Sequence, residues 1–387
     1  MKNFNKIIPL HAPYLKDNSE KYLKECVKST WISTAGKFVD KFESKIIEFT
    51  KSKYAISCIN GTSALHISLI VSGVKPDDEI IVPTLSFIAP INAVKYCGAS
   101  PIFMDSDDDY CIDINKTIEF INNKTSFKNN HTYNKKTKKR ISTIIIVHVY
   151  GRSVMLDRLA NICNKKNINL IEDAAESLGN FFTKGKYKNK HTGTIGKFGC
   201  ISFNGNKIVT CGGGGIILTN DKKLADRAKY LTTTAKDDPI YFKHNDIGYN
   251  YRLTNLNAAV GLAQMENIKY ILKKKKYIFK KYYDAFVSSK KLNFKKIPSH
   301  ATSNYWLNLI EFNYKNFNLE KRIKEIISKQ IDVRPVWQLN HLQKKFLNYE
   351  TYKISNATKL VKKTICLPSS VDISNKQIQK VISSLNE

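Results

Sequence analysis

Seven short runs rich in Val and Ile recur along the first 220 residues, each bounded by turn-forming residues. They are YAISCIN (54–60), EIIVP (79–83), PIFMD (101–105), STIIIVHVYG (142–151), INLIEDAA (168–175), GCISFN (199–204) and GGIILTN (214–220). Their hydrophobicity is continuous rather than alternating, which points to strands buried on both faces, as in a mostly parallel sheet. Helical patterns lie between the early runs. TSALHISLIVSGV sets Ala64, Leu65, Ile67, Ile70, Val71 and Val74 on one side at helical spacing, and VMLDRLANICNKKN repeats the idea after the fourth run. Strand alternating with helix predicts an α/β domain with a seven-stranded, mostly parallel sheet. After Asp221 the character changes. Residues 253–286 read as one or two long helices, followed by YWLNLIEF and a mixed, lysine-rich tail. The expected division is a large domain over 1–264, including the N-terminal segment, and a smaller α+β domain over 265–387.

Composition removes several function classes. At 42% hydrophobic and 11% aromatic the chain can fill a core. No apolar run approaches the roughly 18–20 residues that span a bilayer. The start, MKNFNKIIPLHAPYLK, lacks the apolar centre of a signal peptide, so a cytoplasmic location and no membrane partner are expected. The eight cysteines form no C-x-x-C pair, so reduced thiols and no metal site are expected. The net charge of +30 invites a nucleic-acid reading, but only seven of the 63 basic residues are Arg and the lysines are spread over the whole chain. Groove readout and bidentate phosphate binding favour Arg, so no nucleic-acid partner is expected. The polar, basic stretch 122–140 reads as an exposed loop between two elements.

Three places carry chemistry. In CINGTSALHISL a strand runs into Asn60, Gly61, Thr62 and Ser63 and then a helix. The exposed N–H groups, the hydroxyls and the helix dipole suit a phosphate, and an ordinary N-cap would look the same. In LIEDAAES, Glu172 and Asp173 end a buried strand, where parallel sheets bind ligands; a solvated loop acid is the alternative. Lys207 is one of 56 lysines, and only its surroundings single it out: strand, Ser202, Asn204, Lys207, then four glycines. Glycines let backbone approach a ligand, and a lysine amine in such a pocket can form a Schiff base. An anion site, an acid and an amine together are what pyridoxal phosphate (PLP) requires: a phosphate cradle, a group that keeps the pyridine nitrogen protonated, and a nucleophile for the aldehyde.

The chain resembles the DegT/StrS-type sugar-nucleotide aminotransferases, within the fold-type I PLP enzymes. The resemblance runs through PLHAPYL, WISTAGKFVDKFE, NGTSALH, DEIIVPTLSFIAPINAV, HVYGR, IEDAAESLG, SFNGNK, GYNYRLTNLNAA, RPVWQL and ICLPSS, almost the whole chain. FNGNK with four glycines is similar to the branch acting on UDP-linked 4-keto-6-deoxy-N-acetylhexosamines, on the way to bacillosamine or legionaminic acid. The resemblance implies that Lys207 forms the Schiff base with PLP and later moves the proton, while Asp173 pairs with the pyridine nitrogen. It implies that Thr62, Ser63 and Ser202, beside Gly61, hold the phosphate, that Phe87 stacks on the ring face, and that Glu176 and Asn204 lie near the cofactor. Asn250 would reach the phosphate of a neighbouring subunit, making a homodimer with shared sites. Arg334, Trp337 and His341 are implied as sugar or nucleotide contacts. L-Glutamate is the implied amino donor, cycling PLP through pyridoxamine phosphate (PMP), and the keto-sugar nucleotide is the acceptor.

One departure stands out: many relatives read T-T-G-E-G-G after the lysine, where this chain has Cys211 and Gly213 at the second and fourth places, leaving that loop's anchor open. A sugar dehydratase of the same fold is a rival reading, but such relatives replace the lysine with His. The other rivals are a non-catalytic PLP-binding protein and a nucleic-acid binder using the 122–140 stretch.

Overall fold

The computed structural model describes residues 7–238, 240–314 and 317–386. All seven expected runs form strands: β1 Tyr54–Cys58, β2 Glu79–Pro83 and β3 Ser100–Met104 come first. After two short strands, β4 Thr125–Lys128 and β5 His131–Asn134, follow β6 Ile141–Val147, β7 Asn169–Asp173, β8 Phe198–Ser202 and β9 Gly215–Thr219. Later come β10 Leu292–Phe294, β11 Asn308–Phe312, β12 Arg334–Pro335, β13 Thr351–Tyr352 and β14 Thr364–Leu367. The main sheet has the order β1-β9-β8-β7-β6-β2-β3-β13. It is parallel from β8 to β13, and β9 runs antiparallel to both β1 and β8. Every residue of β2, β6 and β9 is buried, as unbroken Val/Ile runs require when helices cover both faces.

The sheet thus has one more strand than expected. β13 is two residues long and starts on an exposed threonine, so it carries no hydropathy signal. A second, four-stranded antiparallel sheet has the order β10-β11-β14-β12. The proposed division at 264/265 is bridged from both sides, since β13 joins the main sheet and the N-terminal Ile8 pairs with Ile331.

The helices that matter for the site are α1 Ser19–Lys28, α2 Lys37–Thr50, α3 Gly61–Val71, α4 Ala89–Tyr96, α5 Ile114–Lys124, α6 Asp157–Lys165, α7 Lys222–Thr232, α8 Asn255–Glu266 and α9 Ile268–Phe286. Helix α3 differs from its one-sided reading: Ser63 through Leu69 are all buried, because α4 and α7 cover the flank away from the sheet. The long helical stretch splits at Asn267 into α8, which packs on α1 and α2, and α9, which enters the core of the second sheet through Ile278, Tyr282 and Phe286.

The 122–140 stretch is not a loop. It holds the end of α5 and the β4–β5 hairpin, whose central Asn129 and Asn130 both have positive φ, 50° and 59°. Paired left-handed residues make the turn that suits the strand twist, and Asn tolerates them. Hydropathy hid the hairpin because its inward residues are polar. Thr132 donates to the Lys166 carbonyl at 2.6 Å, and Asn134 donates to Glu79 and Glu350 at 2.8 and 2.6 Å.

Candidate active site

A cavity of about 700 Å³ opens at the carboxyl ends of β7 and β8. Its floor is built from the sheet side. Asp173 is the last residue of β7 and Ser202 the last of β8. Helix α3 begins beside them. Its cap residue Asn60 accepts the Ser63 N–H at 2.7 Å, which leaves the first helical N–H groups directed out of the helix. Gly61 is required by packing, since a Cβ there would lie 2.9 Å from the Ser202 Cβ. Gly61, Thr62 and Ser202 line the cavity together, so two hydroxyls and a helix N-terminus converge on one corner. Ser63 is buried and is not among the lining residues.

The two carboxylates at the end of β7 divide by strand alternation. Glu172 turns away from the cavity. Its oxygens accept N–H groups from Gly193 at 2.8 Å and from Ile195 and Gly196 at 2.7 Å each, and Nε2 of His148 lies 3.0 Å away. Burial would raise its pKa, but His148 and these amides outweigh it and hold it below the usual carboxylate range. Asp173 faces the cavity with far less support. It is buried, its Oδ1 accepts the Ala175 N–H at 3.0 Å, and burial, seconded by the charge of Glu176, pushes its pKa from 3.8 up to about 7. A buried carboxylate in that condition lacks a cationic partner.

Lys207 lies opposite. Its Nζ is 3.3 Å from Glu176 Oε1 and 4.3 Å from the centre of the Trp306 ring. Glu176 is buried, its other oxygen accepts the Tyr150 N–H at 2.7 Å, and burial raises its pKa despite the lysine. The glycine run clears the floor. Gly213 and Gly214 line the cavity, and a Cβ on Gly215 would lie 2.3 Å from the Asn60 carbonyl. The open question of this loop's anchor has an answer: Asn257, in the first turn of α8, donates to the Cys211 carbonyl at 2.6 Å. Cys211 itself is 2% exposed and packs against Gly261 and Gly214.

The far wall is aromatic. Tyr150 stacks on Trp337, with centroids 4.4 Å apart, and its hydroxyl accepts the Trp337 N–H at 3.0 Å. Phe87, exposed by 53%, lies 6.0 Å from the Trp337 ring. Trp306 is fixed by its indole N–H, which donates to the Asn206 carbonyl at 2.7 Å. Asn204 and Arg334 also line the cavity. Besides Ser63, two expected residues lie elsewhere. His341 is turned to Thr84, 2.6 Å away, and is not among the lining residues; Asn250 is exposed and accepts from Arg252 at 3.3 Å. Sequence reasoning missed Tyr150, Trp306 and His11, all of which line the cavity. Tyr150 lay in a run read as a strand, and Trp306 in YWLNLIEF, to which no role was given.

The site's parts fit PLP: an amine, a buried carboxylate in want of a cation, and an anion corner at a helix start. Comparisons with known proteins agree. A family model described as the DegT/DnrJ/EryC1/StrS aminotransferase family matches residues 13–386. The chain is 36% identical over 387 residues to GDP-perosamine synthase from Escherichia coli O157:H7, covering 99% of this chain and 98% of that one. Among solved structures it is similar to a DegT DnrJ EryC1 StrS aminotransferase from Brucella abortus, with TM-score 0.86, 24% identity, and 95% and 94% of the two chains covered. A Streptococcus pneumoniae protein solved in its PLP form gives TM-score 0.85 at 20% identity, covering 98% and 97%.

Proposed function

The chain belongs to the DegT/DnrJ/EryC1/StrS aminotransferase family, and on that premise we propose that it moves an amino group from L-glutamate to the 4-keto carbon of a nucleotide-linked 4-keto-6-deoxyhexose. It is a PLP-dependent sugar aminotransferase, and the amino-sugar nucleotide it makes serves glycan biosynthesis. The observation that carries the reading is Lys207: a single amine held between the buried Glu176 carboxylate and the Trp306 face, across from the under-partnered Asp173.

Bound PLP supplies an aldehyde for a lysine amine and a protonated ring that accepts the electron pair released at the donor's α-carbon. The protein's own residues do the rest. Lys207 Nζ, once free, takes the proton from the donor carbon and later delivers one to the sugar carbon. Glu176 holds that amine in place through a 3.3 Å contact. Asp173 would stabilise positive charge on the ring nitrogen, because a desolvated carboxylate gains most from a paired cation. Thr62, Ser202 and the start of α3 would hold the phosphate, with Ser63 supporting the helix turn behind them. Phe87 would cover the ring face, with Asn204 at the edge. Tyr150, Trp306 and Trp337 form a wall that keeps water from the reacting carbon. We assign Asn250 to the partner site of a homodimer, consistent with its exposure and with its absence from the lining of its own cavity.

The relative named GDP-perosamine synthase favours a GDP-linked sugar, while FNGNK followed by four glycines favours the UDP-linked N-acetyl branch. Loading the PMP form with a panel of GDP-, UDP- and dTDP-linked 4-keto-6-deoxyhexoses, and following the return of the PLP absorbance, separates the two. Lys207→Ala and Lys207→Arg should abolish transamination while the fold persists. Near-normal transamination by the Arg variant, or no hydride-trapped adduct on residue 207, refutes the assignment.

A further inference from the structure

On the reading above, one cavity must accept two unlike ligands: an amino acid with two carboxylates, then a sugar whose charge sits on a diphosphate. The charged lining is poorly matched to either. Three carboxylates face the cavity, Asp173, Glu176 and Asp332, against the basic side chains Lys207 and Arg334 and the imidazole of His11. Lys207 is already engaged by Glu176. Arg334 is the one lining arginine among the described residues.

Its arrangement is unusual for a structural ion pair. Asp332 and Arg334 stand two residues apart in extended chain entering β12, so both project to one side while Val333 between them is fully buried. Arg334 Nη1 lies 2.6 Å from Asp332 Oδ1, with the two side chains 58% and 26% exposed. The other Asp332 oxygen accepts the Leu10 N–H at 3.3 Å, from the N-terminal segment that runs beside this strand and also lines the cavity. An ion pair this open to water contributes little stability. An anion offering two oxygens to a guanidinium forms the stronger, bidentate contact. Asp332 can release Arg334 cheaply, because its side chain is 26% exposed to water and keeps its bond to Leu10.

We propose that Asp332 is a built-in competitor of the substrate's anionic oxygen group at Arg334, the arginine whose substrate contact the resemblance already implies. The pair closes when the cavity is empty and opens when the anion arrives. This lets one cavity present a cation to one ligand and a neutralised surface to the next. The proposal rests on the aminotransferase reading only for the choice of ligands. A carboxylate of the amino donor and the diphosphate of the nucleotide share the required chemistry, so two inert probes distinguish them: glutarate, and GDP or UDP, titrated calorimetrically into the PLP-loaded enzyme.

Arg334→Gln should weaken the recognised probe roughly tenfold or more. Asp332→Asn should tighten the same probe roughly three- to tenfold, and should have no effect when added to Arg334→Gln. Asparagine keeps an oxygen for the Leu10 N–H, and thermal melts of each variant confirm that the fold holds. The proposal is overturned if Arg334→Gln leaves both probes within about twofold of wild type, or if Asp332→Asn fails to tighten binding, or does so equally without Arg334. A failed aminotransferase reading would instead show as absent PLP absorbance in the wild-type protein before any titration.

Discussion

In the cofactor-free protein, stability should fall as pH rises from about 5 to about 8, and Asp173→Asn should remove a defined part of that fall. Asp173 is 4% exposed, and burial first, then the neighbouring Glu176 charge, raises its pKa from 3.8 to about 7 against the pull of the Ala175 N–H and Lys207. The unfolded chain loses this proton near 3.8, whereas the folded chain holds it to about 7. Between those values the folded state binds more protons than the unfolded state. Stability therefore declines with rising pH by about 1.4 kcal/mol per unit across that window, and stays lost above it. The whole window is worth about 4 kcal/mol, and roughly 3 kcal/mol of it lies between pH 5 and 8.

Asparagine cannot titrate, so urea unfolding of stripped wild-type and Asp173→Asn proteins at several pH values should give curves that diverge by about that amount. Glu176 is also raised by burial and slopes the same way in both proteins, so the difference, not the absolute slope, is the measurement. Loading with PLP should shrink the wild-type slope, because a protonated ring nitrogen gives the carboxylate its missing partner. Parallel curves for the two stripped proteins would refute the claim that Asp173 is an under-partnered buried carboxylate.

Two further outcomes follow from the same neighbourhood. Glu172→Gln turns one acceptor oxygen into a donor amide facing N–H groups, leaving one or two of its four donors unmet, and should cost about 3 kcal/mol in denaturant unfolding; a loss under about 1 kcal/mol would show that it does not staple residues 193–196. All eight cysteines are free, seven are buried and Cys97 is partly so, with burial pushing the thiols of Cys97 and Cys163 up to about 12. The native protein should therefore expose at most one thiol to a maleimide within minutes and all eight only after unfolding. Rapid native labelling of Cys211 would mean that its packing against Gly261 is wrong.

What the sequence displayed and what it hid divide by the range of the interactions involved. The strands were visible because Val and Ile report burial residue by residue. Asp173 was visible as a strand end, although choosing it over Glu172 from residues alone needed the phase of β7. The β4–β5 hairpin escaped because Thr132 and Asn134 are buried through hydrogen bonds that hydropathy does not register. Trp306 escaped because its role exists only through distant partners, the Asn206 carbonyl in front and Lys275 behind.

Lys275 shows that some of this was recoverable. It sits within four consecutive lysines that composition treats alike. Helix phase does not: Ile268, Ile271, Lys275, Ile278, Tyr282 and Phe286 are the buried positions of α9, and Lys275 keeps their spacing. A lysine on an apolar helical stripe must find acceptors or lose its charge. Its Nζ finds the Trp306 carbonyl at 2.7 Å and the Ser369 carbonyl at 2.5 Å, so the tryptophan that meets Lys207 at the cavity is held from behind by a second lysine inside the core.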